Sequence, residues 1–252
     1  MKLAYETDQG IGTRASLGVI VLETDETLEA EFRQMLSLDG VALYHSRIPM
    51  VPEIRPDTLA QMQADLPASA RLLPASLDFD VIGYGCTSAS TVIGSAQVAG
   101  TIQTVFPRAR VTDPLAATVA AAHALRVRRL GFVTPYMPEV SARMRQKLEE
   151  AGLSIAGFGS FEQGDDRVVA RISEASIAEA AVQVAQSAPC DAVFISCTNL
   201  RCLSVIPEIE RRLGVPVISS NQALAWHMLR LAGVKEESAT SGALFRAQLA
   251  LN

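Results

Sequence analysis

The sequence predicts an α/β fold of two pseudo-symmetric lobes, each a mainly parallel sheet flanked by helices, with an active site in the cleft between them. Three observations predict it. Short apolar runs of strand length alternate with stretches of helical period from Leu17 to Ala232, the pattern of parallel strands joined by crossover helices. The order of these segments repeats once along the chain. The 252 residues, 49% hydrophobic and 19% charged, are enough for one large domain or two small ones with a sizeable core.

Residues 17–22 read as a strand and 26–37 as the first helix. A strand at 41–45, a helix at 57–73, a buried strand at 79–84 and a helix over 89–105 follow. A short strand at 110–112 leads into Asp113-Pro114, an N-cap with proline at the first helical position, and a helix to about 125. The second half opens with a strand at 130–134 and a helix at 139–151, closed by Gly152. Residues 154–157 are extended, and Ser176-Ile177-Ala178-Glu179 fits a capping box opening a helix to about 187. A strand at 192–195, a helix at 207–213 stopped by Gly214 and Pro216, a strand at 215–218 and a helix at 222–232 complete the series. The first 14 residues and the last dozen are expected to be irregular and loose. On this reading residues 1–110 with 218–252 form the first lobe, and 111–217 the second.

The repeat is visible residue by residue. Ala30-Glu-Phe-Arg-Gln-Met-Leu-Ser-Leu-Asp-Gly40 resembles Ala142-Arg-Met-Arg-Gln-Lys-Leu-Glu-Glu-Ala-Gly152 at an offset of 112. Gly18-Val-Ile-Val resembles Gly131-Phe-Val-Thr at 113, and the segment from Asp80 to Thr87 resembles that from Asp191 to Thr198 at 111. Three matches in one order at nearly one offset imply two related lobes. If they face each other across a pseudo-twofold axis, equivalent positions lie on opposite walls of one cleft.

Composition excludes several classes. Lys and Arg number 22 against 27 Asp and Glu, a net charge of −5, which leaves no basic footprint for nucleic acid. No apolar run of 18 residues occurs, so no membrane partner is expected. The first 13 residues carry Glu6 and Asp8 and lack the apolar centre of a secretory signal. Four cysteines are too few for a disulfide framework and read as thiols of a cytoplasmic protein.

Two of those thiols stand at equivalent positions. Cys86 and Cys197 each end a buried strand before a polar turn and a helix, at the carboxyl-end crevice where open parallel sheets bind ligands. Helix-start N–H groups there are expected to favour the thiolate. Thr87, Ser88, Thr198 and Asn199 supply further donors. Taken singly, each cysteine is equally a small buried residue closing a strand; the equivalence favours a functional pair. One such thiol can take a proton from carbon while the other delivers one to the opposite face, inverting a stereocentre without a cofactor. Alternatively one thiolate adds to an activated double bond, allows rotation and leaves. Both routes build charge on a substrate carboxylate, which nearby donors must hold.

These residues carry a resemblance. The chain resembles the aspartate/glutamate racemase superfamily, in its maleate cis-trans isomerase and arylmalonate decarboxylase branch, over nearly the whole stretch from Leu17 to Gly233. Its markers are Gly85-Cys86-Thr87-Ser88, Thr134-Pro135-Tyr136, Ser196-Cys197-Thr198-Asn199-Leu200-Arg201, the segment from Pro207 to Pro216, and Ser219-Ser-Asn-Gln-Ala223. The resemblance implies that Cys86 and Cys197 are the catalytic cysteines and that Thr87, Ser88 and Tyr136 hold a substrate carboxylate. It implies no cofactor and no metal. The decarboxylases carry glycine at the first cysteine, so Cys86 points towards racemisation or isomerisation.

Two departures bear on the substrate. The maleate isomerases carry asparagine in the loop after the first strand, where this chain has Asp25 within Thr24-Asp25-Glu26-Thr27. A second asparagine of that branch falls at Asp166. An amide donates to a carboxylate; an ionised aspartate does not. Two aspartates would repel a dicarboxylate and hold an ammonium or amide N–H. That implies an amino-bearing carboxylic acid such as an acylated diamino acid, as expected of the superfamily's ectoine-utilisation members. Asp25 as a plain cap of the first helix is the alternative. The functional expectation is a cofactor-independent racemase or isomerase of a small carboxylic acid. Maleate cis-trans isomerisation, arylmalonate-type decarboxylation and a non-catalytic small-molecule binding protein are the alternatives.

The remaining candidates read as structural. Arg201 is a surface charge or a carboxylate clamp. Cys190 and Cys202 lack zinc spacing and read as structural thiols. His123 and His227 lie on apolar helical faces and His45 stands apart from both. Gly83-Tyr-Gly85 is a fragment of a dinucleotide fingerprint without its third glycine. The alanine-rich segment 115–125 suits a buried or interface helix, which makes a homodimer compatible with the sequence.

Overall fold

The computed structural model describes residues 1–51, 56–236 and 242–250. Two four-stranded sheets, parallel throughout, share one strand order. In the first, β1 (Ala15–Leu22) lies between β2 (Val41–Ile48) and β3 (Val81–Gly85), with β4 (Arg110–Thr112) beyond β3. In the second, β5 (Arg129–Thr134) lies between β6 (Ser154–Ser160) and β7 (Ala192–Ile195), with β8 (Val217–Ser219) beyond β7. Register repeats as well: Gly18 stands opposite Ile82 as Gly131 stands opposite Val193. Asp80 accepts the Ser16 amide at 2.8 Å, and its counterpart Asp191 accepts the Arg129 amide at 2.8 Å. The sequence repeat is therefore a repeat of the fold.

Helices α1 (Leu28–Met35), α2 (Pro56–Ala70), α3 (Thr87–Ile93), α4 (Ser95–Gln103) and α5 (Pro114–Ala124) follow the first-sheet strands. Helices α6 (Pro138–Glu150), α7 (Asp166–Val169), α8 (Glu174–Ser187), α9 (Ile206–Leu213) and α10 (Ser220–Leu231) follow the second. Strands β3 and β7 are buried along their whole length, because helices cover both faces and both must be apolar. Although α10 follows β8, it packs on α1 and β3 of the first lobe and on α5. The divisions expected at 110/111 and 217/218 fall inside β4 and β8; we propose to place them after Thr112 and Ser219. Among the described residues no helix is long and apolar enough to cross a membrane.

Several elements differ from expectation, each for a local reason. The helix expected over 89–105 starts earlier, at Thr87, and breaks in two at Gly94, whose φ of +95° no L side chain adopts readily. Gly83 and Gly85 are packing glycines: a Cβ would meet Met228 Sδ and Leu28 Cδ1, each at 2.6 Å. The capping box expected at Ser176 is displaced, since α8 opens at Glu174 and Ser173 Oγ accepts the Ser176 amide at 3.1 Å. Glu179, the expected box partner, pairs instead with Arg212 at 2.6 Å. Ser173→Ala is therefore expected to destabilise the protein by about 1 kcal/mol, read as a shift of the urea midpoint. The short helix α7 was not expected.

The last dozen residues are not loose where they are described. Leu244 and Phe245 are buried. Ala247 O accepts from Trp226 Nε1 at 3.0 Å, and the buried Arg230 guanidinium donates to Phe245 O at 2.7 Å and Val234 O at 2.9 Å. His227 is a satisfied interior histidine, its Nδ1 sharing a proton with Thr112 Oγ1 at 2.8 Å, and burial pulls its pKa down to about 4. His123, by contrast, is exposed.

Candidate active site

Each sheet has a switch point where the chain leaves in opposite directions from adjacent strands, between β1 and β3 and between β5 and β7. The carboxyl ends at such points form a crevice. Four loops leave these ends, bearing Thr24 and Asp25, Cys86, Tyr136, and Cys197.

The two crevices are joined face to face. The Thr87 hydroxyl donates to Ser220 Oγ at 2.9 Å, and the same oxygen accepts the Cys197 amide at 3.0 Å. The Thr198 hydroxyl donates to Gly85 O at 3.4 Å. The residues flanking each cysteine thus touch the other lobe. Burial raises the Tyr136 pKa, and the neighbouring Cys197 and Cys86 add to it; the Asp166 and Asp25 charges act on both thiols. The two cysteine turns are therefore hydrogen-bonded to one another through Ser220 and Gly85.

Cys86 is the N-cap of α3, its Sγ accepting the Ala89 amide at 3.3 Å and lying 3.6 Å from Ser88 Oγ. Cys197 Sγ accepts the Asn199 amide at 3.4 Å. The backbones differ: Cys86 has φ −145°, whereas Cys197 has φ +136°, a region nearly closed to residues with a Cβ. Donors therefore reach both sulfurs, as expected, yet they do not make either one a resting thiolate. The cysteines are 1% and 4% exposed, and burial dominates. It pushes the Cys86 thiol up to about 12 against the opposing Ala89 N–H and Ser88 hydroxyl. Burial also raises Cys197 well above its ordinary value, with the Asp166 charge adding to it and the Tyr136 hydroxyl opposing. The cleft is closed over both thiols. A surface hollow of about 490 Å³ beside Arg71, Phe79 and Phe106 lies at the amino ends of β3 and β4, away from this chemistry.

Both aspartates are buried. Asp25 Oδ1 accepts the Thr27 and Leu28 amides at 2.8 and 2.7 Å, so the capping alternative holds for that oxygen. Its Oδ2 is buried with no hydrogen-bond partner. Burial raises the Asp25 pKa; the Thr27 and Leu28 amides, the nearby Thr198 hydroxyl and the Arg47 charge act against it. Asp166 Oδ2 accepts the Thr24 hydroxyl at 2.5 Å, and burial raises its pKa to about 6.

Other candidates take different duties. Asn199 is expected to bind substrate, but its side chain is engaged on every side. Oδ1 accepts the Glu26 amide at 2.9 Å, and Nδ2 donates to Asp166 O at 3.1 Å and Thr24 O at 3.5 Å. It ties together the loops that carry the two aspartates. The Thr87 proton is likewise committed to Ser220 and the Ala89 amide to Cys86 Sγ, which leaves the Ser88 hydroxyl and the Thr87 and Ser88 amides at the start of α3 as the freer donors, since those amides have no intrahelical carbonyl to bond. Arg201 is exposed and pairs with Glu174 at 3.4 Å. Cys202 is buried and Cys190 half-buried. Among the described residues no group of three His, Cys, Asp or Glu side chains is placed to hold a metal. Thr24, Ser220 and Asn221 were missed as site residues. The Ser219–Gln222 capping box was a readable signal that one more helix starts at a strand end in the crevice.

The arylmalonate decarboxylase family model matches residues 102–245. An arylmalonate decarboxylase from Bordetella bronchiseptica is 40% identical over 111 residues, covering 44% of this chain and 46% of that enzyme. A maleate isomerase from Nocardia farcinica is 29% identical over 240 residues, covering 91% of this chain and 95% of its own. The solved Nocardia farcinica maleate cis-trans isomerase with a covalently bound succinylcysteine intermediate superposes with a TM-score of 0.85 at 26% identity, covering 92% of this chain and 98% of that one. A family model that accounts for more than half of the residues, on a duplicated scaffold shared with a maleate isomerase, makes the chain a member of the arylmalonate decarboxylase family, in the maleate isomerase and arylmalonate decarboxylase branch of the aspartate/glutamate racemase superfamily.

Proposed function

We propose that this protein is a cofactor-independent racemase or isomerase of a small amino-bearing carboxylic acid, with Cys86 and Cys197 as its two reacting thiols. One observation carries the reading: the Thr87–Ser220–Cys197 bridge ties the two cysteine turns to each other. The substrate carboxylate would lie against Ser88, Tyr136 and the Thr87 and Ser88 amides at the start of α3, with Thr198 beside it. Its amino group would lie against Asp25 Oδ2 and Asp166. Both carboxyls are held above their ordinary pKa by burial, so a second carboxylate would add to an uncompensated negative charge, while an ammonium would offset it. The same ammonium lowers the cost of ionising a thiol in this dry site. One thiolate then takes the α-proton and becomes a thiol; the other thiol gives its proton to the opposite face and becomes the thiolate. Proton and charge balance, and the enzyme is left ready for the reverse turnover. Free thiols suit the reducing cytoplasm, where we place the enzyme.

A second reading is addition of a cysteine to the double bond of maleate. It is favoured by the covalent succinylcysteine of the similar Nocardia isomerase. Maleate and amino-acid enantiomers, free and N-acylated, assayed side by side in D2O separate the two. Loss of optical activity with deuterium at the α-carbon is expected. Conversion of maleate with no racemisation would overturn the reading, and inert thiols with no turnover of either would leave a binding protein.

A further inference from the structure

The two lobes are copies, yet their cysteine turns differ: Cys197 is held in the left-handed half of backbone space and Cys86 is not. Such a conformation in a residue with a Cβ persists only where its surroundings over-determine it. The repeat allows the two turns to be compared residue by residue. Glu31 on α1 matches Arg143 on α6 at the offset of 112. Arg143 is exposed and pairs with Glu139 at 3.4 Å on its own helix. Glu31 is buried and points into the second lobe. Its Oε1 accepts the Cys202 and Leu203 amides, both at 2.8 Å, and its Oε2 accepts Asn221 Nδ2 at 2.8 Å. The same Asn221 nitrogen donates to Thr198 O at 2.8 Å, on the residue directly after Cys197. Ser220, next to Asn221, holds the Cys197 amide.

We propose that Glu31 is a positioning residue that, through Asn221 and the Cys202 and Leu203 amides, clamps the Cys197 turn in its strained conformation and aims that sulfur into the cleft. The clamp has no twin in the other half, so it makes the two thiols unequal by construction. The catalytic consequence rests on the reading of Cys197 as a reacting thiol; the geometric consequence does not.

The test is Glu31→Gln in the full chain. Glutamine keeps the size and one acceptor for the backbone amides, but its NH2 opposes the Asn221 NH2. Turnover is expected to fall about 10- to 100-fold with KM changed by less than about threefold, as for a misplaced reacting group. Cys197 is expected to react with iodoacetamide at least about fivefold faster, read by peptide mass spectrometry, while the Cys86 rate and Tm stay near wild type. Arg143→Gln, the same change at the twin position, should alter neither thiol. Should Glu31→Gln not fold, Asn221→Ala releases Thr198 O and Glu31 Oε2 while the Cys202 and Leu203 amides keep their acceptor, and it is expected to shift Cys197 labelling in the same direction. Equal acceleration of both thiols with a lowered Tm, or unchanged labelling at Cys197, overturns the clamp. If instead Cys197→Ser keeps full activity, the proposed reaction fails, and the labelling ratio still decides the clamp.

Discussion

Replacing either Cys86 or Cys197 by serine is expected to lower turnover by about three orders of magnitude or more, with the fold intact. A serine hydroxyl is nearly the same size but far harder to ionise. The site already holds the Cys86 thiol at about 12 by burial, so the margin for forming any anion there is small. Stability should not follow activity. Serine is a better N-cap than cysteine, and at position 86 it would accept the Ala89 amide that Sγ accepts now. Thermal unfolding of Cys86→Ser is therefore expected at or above the wild-type Tm. Isotope exchange adds a sharper readout. In a two-thiol racemase each single variant keeps one working face, so it should still wash deuterium into one enantiomer without inverting it. The two variants should choose opposite enantiomers. Full activity in either variant, or exchange into the same enantiomer by both, would count against a two-faced proton transfer.

Asp166→Asn is expected to stabilise the protein at pH 8 and to do little at pH 4. In the fold the Asp166 pKa stands at about 6, raised by burial, while in an unfolded chain it is near 3.8. Between those values the folded state holds a proton that the unfolded state has released. Stability therefore falls as pH rises through that window, and the deficit persists above it, amounting to at most about 3 kcal/mol. Asparagine removes the buried charge and keeps an oxygen for the Thr24 hydroxyl, now 2.5 Å from Asp166 Oδ2. A gain of about 2 kcal/mol, or about 4–8 °C in Tm for a chain of this size, is expected at pH 8 by calorimetry. An equal gain at both pH values would mean that packing, not charge, was responsible. The same variant should racemise an amino-bearing substrate poorly, because the ammonium loses one of its two anions. Greater stability with lower activity is the usual sign of a strained functional group.

Much of this was legible because the chain writes its fold twice. The matches at Gly18 and Gly131 and at Asp80 and Asp191 correspond to shared strand registers and a shared amide contact. Asp113-Pro114 and the strands over 110–112 and 192–195 were readable from local chemistry alone. Errors arose where a residue had a distant partner. Glu179 looked like half of a capping box but belongs to Arg212. Residues 244 and 245 looked like a loose tail but fill the interior. Asn199 looked like a ligand-binding amide but holds together two loops, at Thr24–Glu26 and at Asp166. None of these partners lies within a helical turn of the residue concerned, so no periodicity or cap rule could reveal them.

The amino-acid sequence by itself determined the two-lobed α/β scaffold and the equivalence of Cys86 and Cys197, because strand and helix periods, caps and a tandem repeat are local patterns that survive in one dimension. Only the tertiary structure decided the electrostatic state of the site and its asymmetry. The high thiol pKa, the unpartnered oxygen of Asp25, and the left-handed Cys197 held from Glu31 all depend on desolvation and on contacts between residues more than a hundred positions apart. Burial is a property of the packed volume, and a linear sequence carries it only after the chain has folded.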